Sequence, residues 1–301
     1  MGAGMGARSV TLRGRSSFVF GTAALVAAAF VIVLVVGAAP SVTRAATGFA
    51  AGPTSREQAA SSTTATEIAP ETRALPTEVP PAPPRWTSLS STQAVEMQGA
   101  KVILAPAGSE PLNANGPRPK VATMLHGMCS DVEWSCEAVQ ASLPDGFVLA
   151  CPTGNASCGD RADWTGDGET KARHLDDVVG RALRSVDLGD AQDGSEILMG
   201  FSRGAFVARD VAYARKHKYR ALVLIGAAIT PDPAILRDNG IEKVVLASGD
   251  FDGAAKTMRA ARKKLTAAGF DCRFVSLGRV YHALPSDSGE RLREAMAWAA
   301  R

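Results

Sequence analysis

Net charge is what this sequence most plainly lacks. Its 33 Lys and Arg stand against 30 Asp and Glu, a formal balance of +3. No basic stripe with interleaved aromatics occurs, so nucleic acid is not an expected partner. The richest basic stretch, 215–220, reads as the solvated end of a helix, where cations suit the dipole. No Cys-x-x-Cys pair is present, which removes the usual ligand spacing of a structural zinc site. No cysteine precedes Cys129, so a lipid-bearing N-terminal cysteine is not expected. No internal repeat is evident.

The apolar stretch 18–39, which carries no charge, is itself informative. Twenty-two residues at about 1.5 Å each span roughly 33 Å, close to the hydrocarbon thickness of a bilayer. A cleaved signal peptide has a shorter apolar region. The run is therefore expected to be a transmembrane signal-anchor, with late cleavage as a signal peptide left open by the small residues near Ala38, Ala39 and Ala50. Arg8, Arg13 and Arg15 in segment 1–17 predict a cytoplasmic N-terminus and an exported remainder. Residues 40–86 are rich in Ala, Thr and Pro and poor in large apolar side chains, the composition of a disordered linker. Residues 87–301 form the expected folded domain.

Five cysteines suit an exported domain. Cys129, Cys136, Cys151 and Cys158 allow three pairings. Cys129 with Cys136 and Cys151 with Cys158 is the simplest, and a crossed pairing stays open if the loops are neighbours. Cys272 stands apart.

From residue 86 onward short apolar runs alternate with helical spacing. Strands are predicted at 101–104, 121–125, 147–150, 196–201, 221–225, 243–247 and 273–277, and helices at 134–143, 171–186, 205–217, 254–268 and 288–300. This alternation predicts an α/β domain with a mostly parallel central sheet and helices on both faces. Right-handed crossovers bring the C-terminal strand ends to one edge, where such sheets place their sites.

Four features converge on that edge. Gly200-Phe201-Ser202-Arg203-Gly204 lies between a strand and a helix. A tight turn there exposes the serine Oγ, although an ordinary helix-capping serine would also fit. His282 follows a late strand, whereas His174 and His217 fall within predicted helices and His126 within an early loop. An imidazole at 282 can take and return the serine proton. Asp252, with Asp250 in reserve, follows the strand 243–247 and can orient that imidazole. The backbone N–H groups of Met128 and Arg203 can serve as an oxyanion hole, His126 being a structural residue of its loop.

These pieces resemble the α/β-hydrolase superfamily: the His126-Gly127 loop, the Gly200–Gly204 elbow, the Gly249-x-x-Asp252 turn and His282, within a stretch running from about 101 to 301. The resemblance implies a Ser202–Asp252–His282 triad, an acyl-enzyme, and neither cofactor nor metal. Most such enzymes cleave esters; peptidases and amidases share the fold. An inactive hydrolase fold serving as a tethered binding module is the remaining alternative. The interval 227–242 is too short for a cap domain, so an open site for a small or polymer-end ester is expected. The loop 152–171 with Trp164, and Trp134 opposite, are candidate substrate walls, although both tryptophans could equally be packing residues. Arg203 is expected along the surface. The domain is expected outside the cytoplasm, membrane-anchored or secreted.

Overall fold

The computed structural model describes residues 89–107, 112, 118–189 and 196–301. The segments expected at 1–17, 18–39 and 40–86 lie outside them. Among the described residues, no helix is long and apolar enough to cross a membrane.

The chain runs β1 (Gln93–Met97), β2 (Ala100–Pro106), β3 (Lys120–Leu125), α1 (Val132–Gln140), β4 (Phe147–Pro152), β5 (Ala156–Cys158), β6 (Arg161–Asp163), α2 (Gly168–Ser185), β7 (Glu196–Phe201), α3 (Arg203–Ala214), β8 (Tyr219–Ile225), α4 (Pro233–Asp238), β9 (Lys243–Ser248), α5 (Ala255–Ala267), β10 (Asp271–Ser276) and α6 (Ser288–Ala299). Eight strands form one sheet in the order β1-β2-β4-β3-β7-β8-β9-β10, and β5 pairs with β6 in a separate hairpin. The pairs β1–β2 and β2–β4 are antiparallel, and every other pair in the sheet is parallel.

The central strands are unbroken apolar runs because both their faces are buried. Successive side chains alternate between two clusters. Ile197 and Met199 of β7, Val223 of β8 and Val245 of β9 pack in a cluster with Val139 of α1 and Leu292 and Met296 of α6. Leu198, Leu222, Leu224 and Leu246 pack in another with Leu175 of α2, Val211 of α3 and Met258 of α5. Burying each side chain of this size contributes about 1.5–3 kcal/mol. Aspartates start three helices: Asp131 accepts from Trp134 N, Asp167 from Thr170 N, and Asp232, just before Pro233, from Ala234 N. Such a cap contributes about 1 kcal/mol.

The helix expected at 205–217 ends at Ala214. His217 lies beyond it at φ 56°, its N–H donating to Asn239 O at 2.8 Å. The basic stretch is consequently not a solvated helix end. Arg215 pairs with Glu169 and Asp176, and Lys218 with Asp176, which ties the segment to α2.

The disulfides also depart from the simplest expectation. They are nested, Cys129–Cys158 around Cys136–Cys151, and neither sequential nor crossed. Cys136 lies on the buried face of α1, against Cys151 on the adjoining β4. Cys129 precedes the helix, in a loop whose Ser130 bridges to Ala162 of the β5–β6 hairpin. The hairpin thus brings Cys158 to Cys129. Cys272 is a buried free thiol, and burial pushes its pKa up to about 12.

Candidate active site

Ser202 stands between β7 and α3 with φ 54° and ψ −118°. A serine held in this region stores on the order of 1–3 kcal/mol of strain. Its surroundings impose it. Ser202 N donates to Ile225 O of β8 at 2.8 Å, and Ala205 N to Ser202 O at 3.0 Å. A Cβ at Gly200 would collide with the Gly204 carbonyl, and one at Gly204 with the Leu125 carbonyl. The two glycines therefore allow strand, helix and neighbouring loop to close around the serine. Ser202 makes no side-chain cap to its helix.

The Ser202 hydroxyl instead reaches His282, with Oγ 2.8 Å from Nε2. His282 Nδ1 is 2.9 Å from Asp252 Oδ2. Since the carboxylate only accepts, Nδ1 carries the proton and Nε2 accepts from Ser202. Asp252 is nearly buried, and its Oδ1 accepts from Ala254 N at 2.9 Å. Its two oxygens are thus committed in fixed directions. The imidazole is half exposed.

Asp250 occupies the same turn but takes no part in this chain. It accepts from Ser276 Oγ at 2.7 Å and from Arg259 Nη2 at 2.9 Å, contacts that hold its pKa below the usual carboxylate value. The acid turn and the histidine loop are joined backbone to backbone. Asp250 N donates to Gly278 O at 2.8 Å and Phe251 N to Val280 O at 3.1 Å. A Cβ at Gly249 would strike the Val280 carbonyl.

The early loop lies on the other side. A Cβ built on Gly127 would lie 3.5 Å from Ser202 Cβ, which puts this loop against Ser202. His126 is buried, its Nε2 accepting from Gly154 N at 3.0 Å. The other nitrogen therefore carries the proton and donates to Gly127 O at 2.7 Å. Burial lowers the pKa of His126, in keeping with a neutral ring. A trans peptide is planar, with its C=O and following N–H on opposite sides. Fixing Gly127 O thus aims Met128 N–H away from the His126 ring. Among the described residues, neither Met128 N–H nor Arg203 N–H donates to another protein group.

The two tryptophans and Arg203 take three different settings. Trp164 is buried, donating from Nε1 to His126 O at 3.1 Å, so it packs beneath the loop and is no substrate wall. Trp134 is 41% exposed, edge-on to Phe201. The Arg203 side chain lies along the surface as expected, 42% exposed, and is anchored there. Its Nη2 donates to Trp164 O at 2.8 Å, and Nε lies 3.2 Å from Asp163 Oδ1. The hairpin that receives these contacts was not visible in the sequence, since strands of three residues carry no period. A cleft of about 650 Å³ adjoins it, lined by polar groups that include Ser130, Asp131, Asn155 and Asp160. Among the described residues, no group of three or more His, Cys, Asp or Glu could hold a metal ion.

No family model matches the chain, and no curated protein matches it by sequence. Solved structures do. The chain is similar to the substrate-bound fluorophosphonate-binding serine hydrolase F of Staphylococcus aureus, with TM-score 0.50, 12% identity, and coverage of 71% of this chain and 99% of that one. It is similar to a ferulic acid esterase with TM-score 0.51, 12% identity, and coverage of 72% and 99%. At such identities the likeness concerns the fold, which is that of the α/β hydrolases.

Proposed function

We propose that the protein is a serine hydrolase of carboxylic esters working outside the cytoplasm, with Ser202 as nucleophile, His282 as general base and acid, and Asp252 as the orienting carboxylate. The observation that carries the reading is the continuous hydrogen-bonded chain from Ser202 Oγ through His282 to Asp252, at 2.8 and 2.9 Å.

In this reading His282 Nε2 takes the hydroxyl proton as Ser202 Oγ attacks the ester carbonyl. The tetrahedral oxyanion receives hydrogen bonds from the backbone N–H groups of Arg203 and Met128. Donors preorganised toward developing charge contribute more than those that must reorient. The N-terminus of α3 adds its dipole. His282 then returns the proton to the leaving alcohol. The acyl group stays on Ser202 until water, activated by the same imidazole, releases it.

Only α4, six residues long, interrupts the connection between β8 and β9. This supports a site without a cap domain, open to small soluble esters or polymer ends. The two disulfides support an oxidising compartment, and the uncharged run at 18–39 supports membrane anchoring or secretion.

The test is stoichiometric labelling by a fluorophosphonate probe with turnover of p-nitrophenyl esters, both lost in Ser202→Ala. A folded protein that neither labels nor turns over refutes the reading. Parallel assays on aminoacyl amides distinguish ester from amide preference.

A further inference from the structure

The loop carrying Met128 is anchored to the β5–β6 hairpin more densely than connectivity alone requires. Cys129 is bonded to Cys158. Ser130 bridges to Ala162, and Arg161 Nη1 donates to Cys129 O at 3.3 Å. On the preceding side, His126 accepts from Gly154 N through its ring and from Trp164 Nε1 through its carbonyl. Met128 lies between these attachments. Its side chain is exposed, 59% of its surface being open, so packing does not hold it. The backbone at Cys129 has φ 46°, a conformation an L-residue keeps only when its surroundings enforce it.

We infer that the Cys129–Cys158 disulfide is a positioning element for the oxyanion hole: it fixes the direction of Met128 N–H, and full turnover requires the bond to be formed. The inference rests on the reading of Ser202 and Met128 given above. The two disulfides differ in kind. Cys129 and Cys158 are partly exposed, whereas Cys136 and Cys151 are 2% and 0% exposed. Exchange requires access of a thiolate to sulfur, so a mild dithiol opens the first and spares the second. Its thiolate attacks one sulfur to give a mixed disulfide, which its second thiol then displaces. Two electrons and two protons pass to Cys129 and Cys158, which become thiols, and the reductant leaves as a cyclic disulfide. Freed from the hairpin, Cys129 relaxes and the Met128 N–H loses its aim.

The experiment uses the full-length protein, with p-nitrophenyl acetate as substrate and alkylation with peptide mapping to identify the open bond. Selective opening of Cys129–Cys158 is expected to lower kcat by about 10- to 100-fold, approaching the loss of one oxyanion donor. KM should stay within about twofold, and oxidised glutathione should restore kcat. Cys129→Ser/Cys158→Ser should be equally slow and unresponsive to reductant. Selective opening of the bond in the wild-type protein decides the question if the double variant does not fold. Cys136→Ser/Cys151→Ser should lower Tm yet keep both kcat and its sensitivity to reductant. A kcat unchanged after mapped opening of Cys129–Cys158 overturns the inference while leaving the hydrolase reading intact. Oxidised wild-type protein with neither turnover nor probe labelling overturns the hydrolase reading, and this inference with it.

Discussion

Phe201 lies almost parallel to the imidazole of His282, with ring centroids 5.1 Å apart and planes 25° from each other. The residue preceding the proposed nucleophile thus supports the ring proposed as its base. On another side Phe201 meets the edge of Trp134, at 5.9 Å and 73°. Phe201→Leu removes the flat support, so the ring gains freedom around its Asp252 contact. A misplacement near 1 Å costs up to about 100-fold in rate. The expected outcome is a fall in kcat of that order with KM little changed, read from steady-state ester hydrolysis.

The two carboxylates of the acid turn should part cleanly. Asp252→Asn leaves a group that still reaches His282 but favours the wrong tautomer, and kcat should fall by about 10⁴ in a folded protein. Asp250→Asn weakens contacts to Ser276 and Arg259 at the surface. Its kcat should stay within about twofold. Comparable losses in both variants would remove Asp252 from the proposed role.

Gly204→Ala tests the closeness of the elbow to β3. The added Cβ meets backbone, which cannot swing aside. A destabilisation of about 3 kcal/mol or more is expected, at the upper end of overpacking costs. Thermal unfolding beside wild type measures it, and a variant of wild-type Tm would contradict the packing described.

His126 sets a pH limit on stability. Its pKa is lowered from 6.5, chiefly by burial. The unfolded chain therefore binds the proton more readily than the folded one. The contribution is fully present above pH 6.5 and is lost as pH falls from there through the lower folded value. Tm should drop across that window, and His126→Asn should flatten this part of the profile. An unchanged slope in the variant would place the acid sensitivity elsewhere.

The strand ends that carry Ser202, Asp252 and His282 were legible in the sequence because each is marked locally. An apolar run, then glycine at fixed offsets, identifies a strand leaving the sheet edge, and chain order does the rest. The anchoring of Arg203 was not legible because its partners, Trp164 O and Asp163, lie about forty residues away in the chain. The cysteine pairing was illegible for the same reason. It depends on the β5–β6 hairpin, whose strands are too short to announce themselves. The helix predicted through 217 kept its helical composition, and tertiary contacts to Asn239 and Asp176 ended it early.

The backbone seam between the acid turn and the histidine loop has a consequence for how the site can vary. The acid turn and the histidine loop form one block, resting on β9 and β10, to which the proposed function assigns proton transfer. The β5–β6 hairpin and the disulfide loop form another, resting on β3 and β4, and they meet the first block at Ser202. Changes of charge at Ser157 or Asp160 therefore alter the polar cleft without touching the Asp252–His282 contact. Under the proposed function the proton relay and the Met128 loop rest on separate blocks, so the hairpin positions free to vary are those other than Cys158 and 161–163, which hold that loop and Arg203 in place.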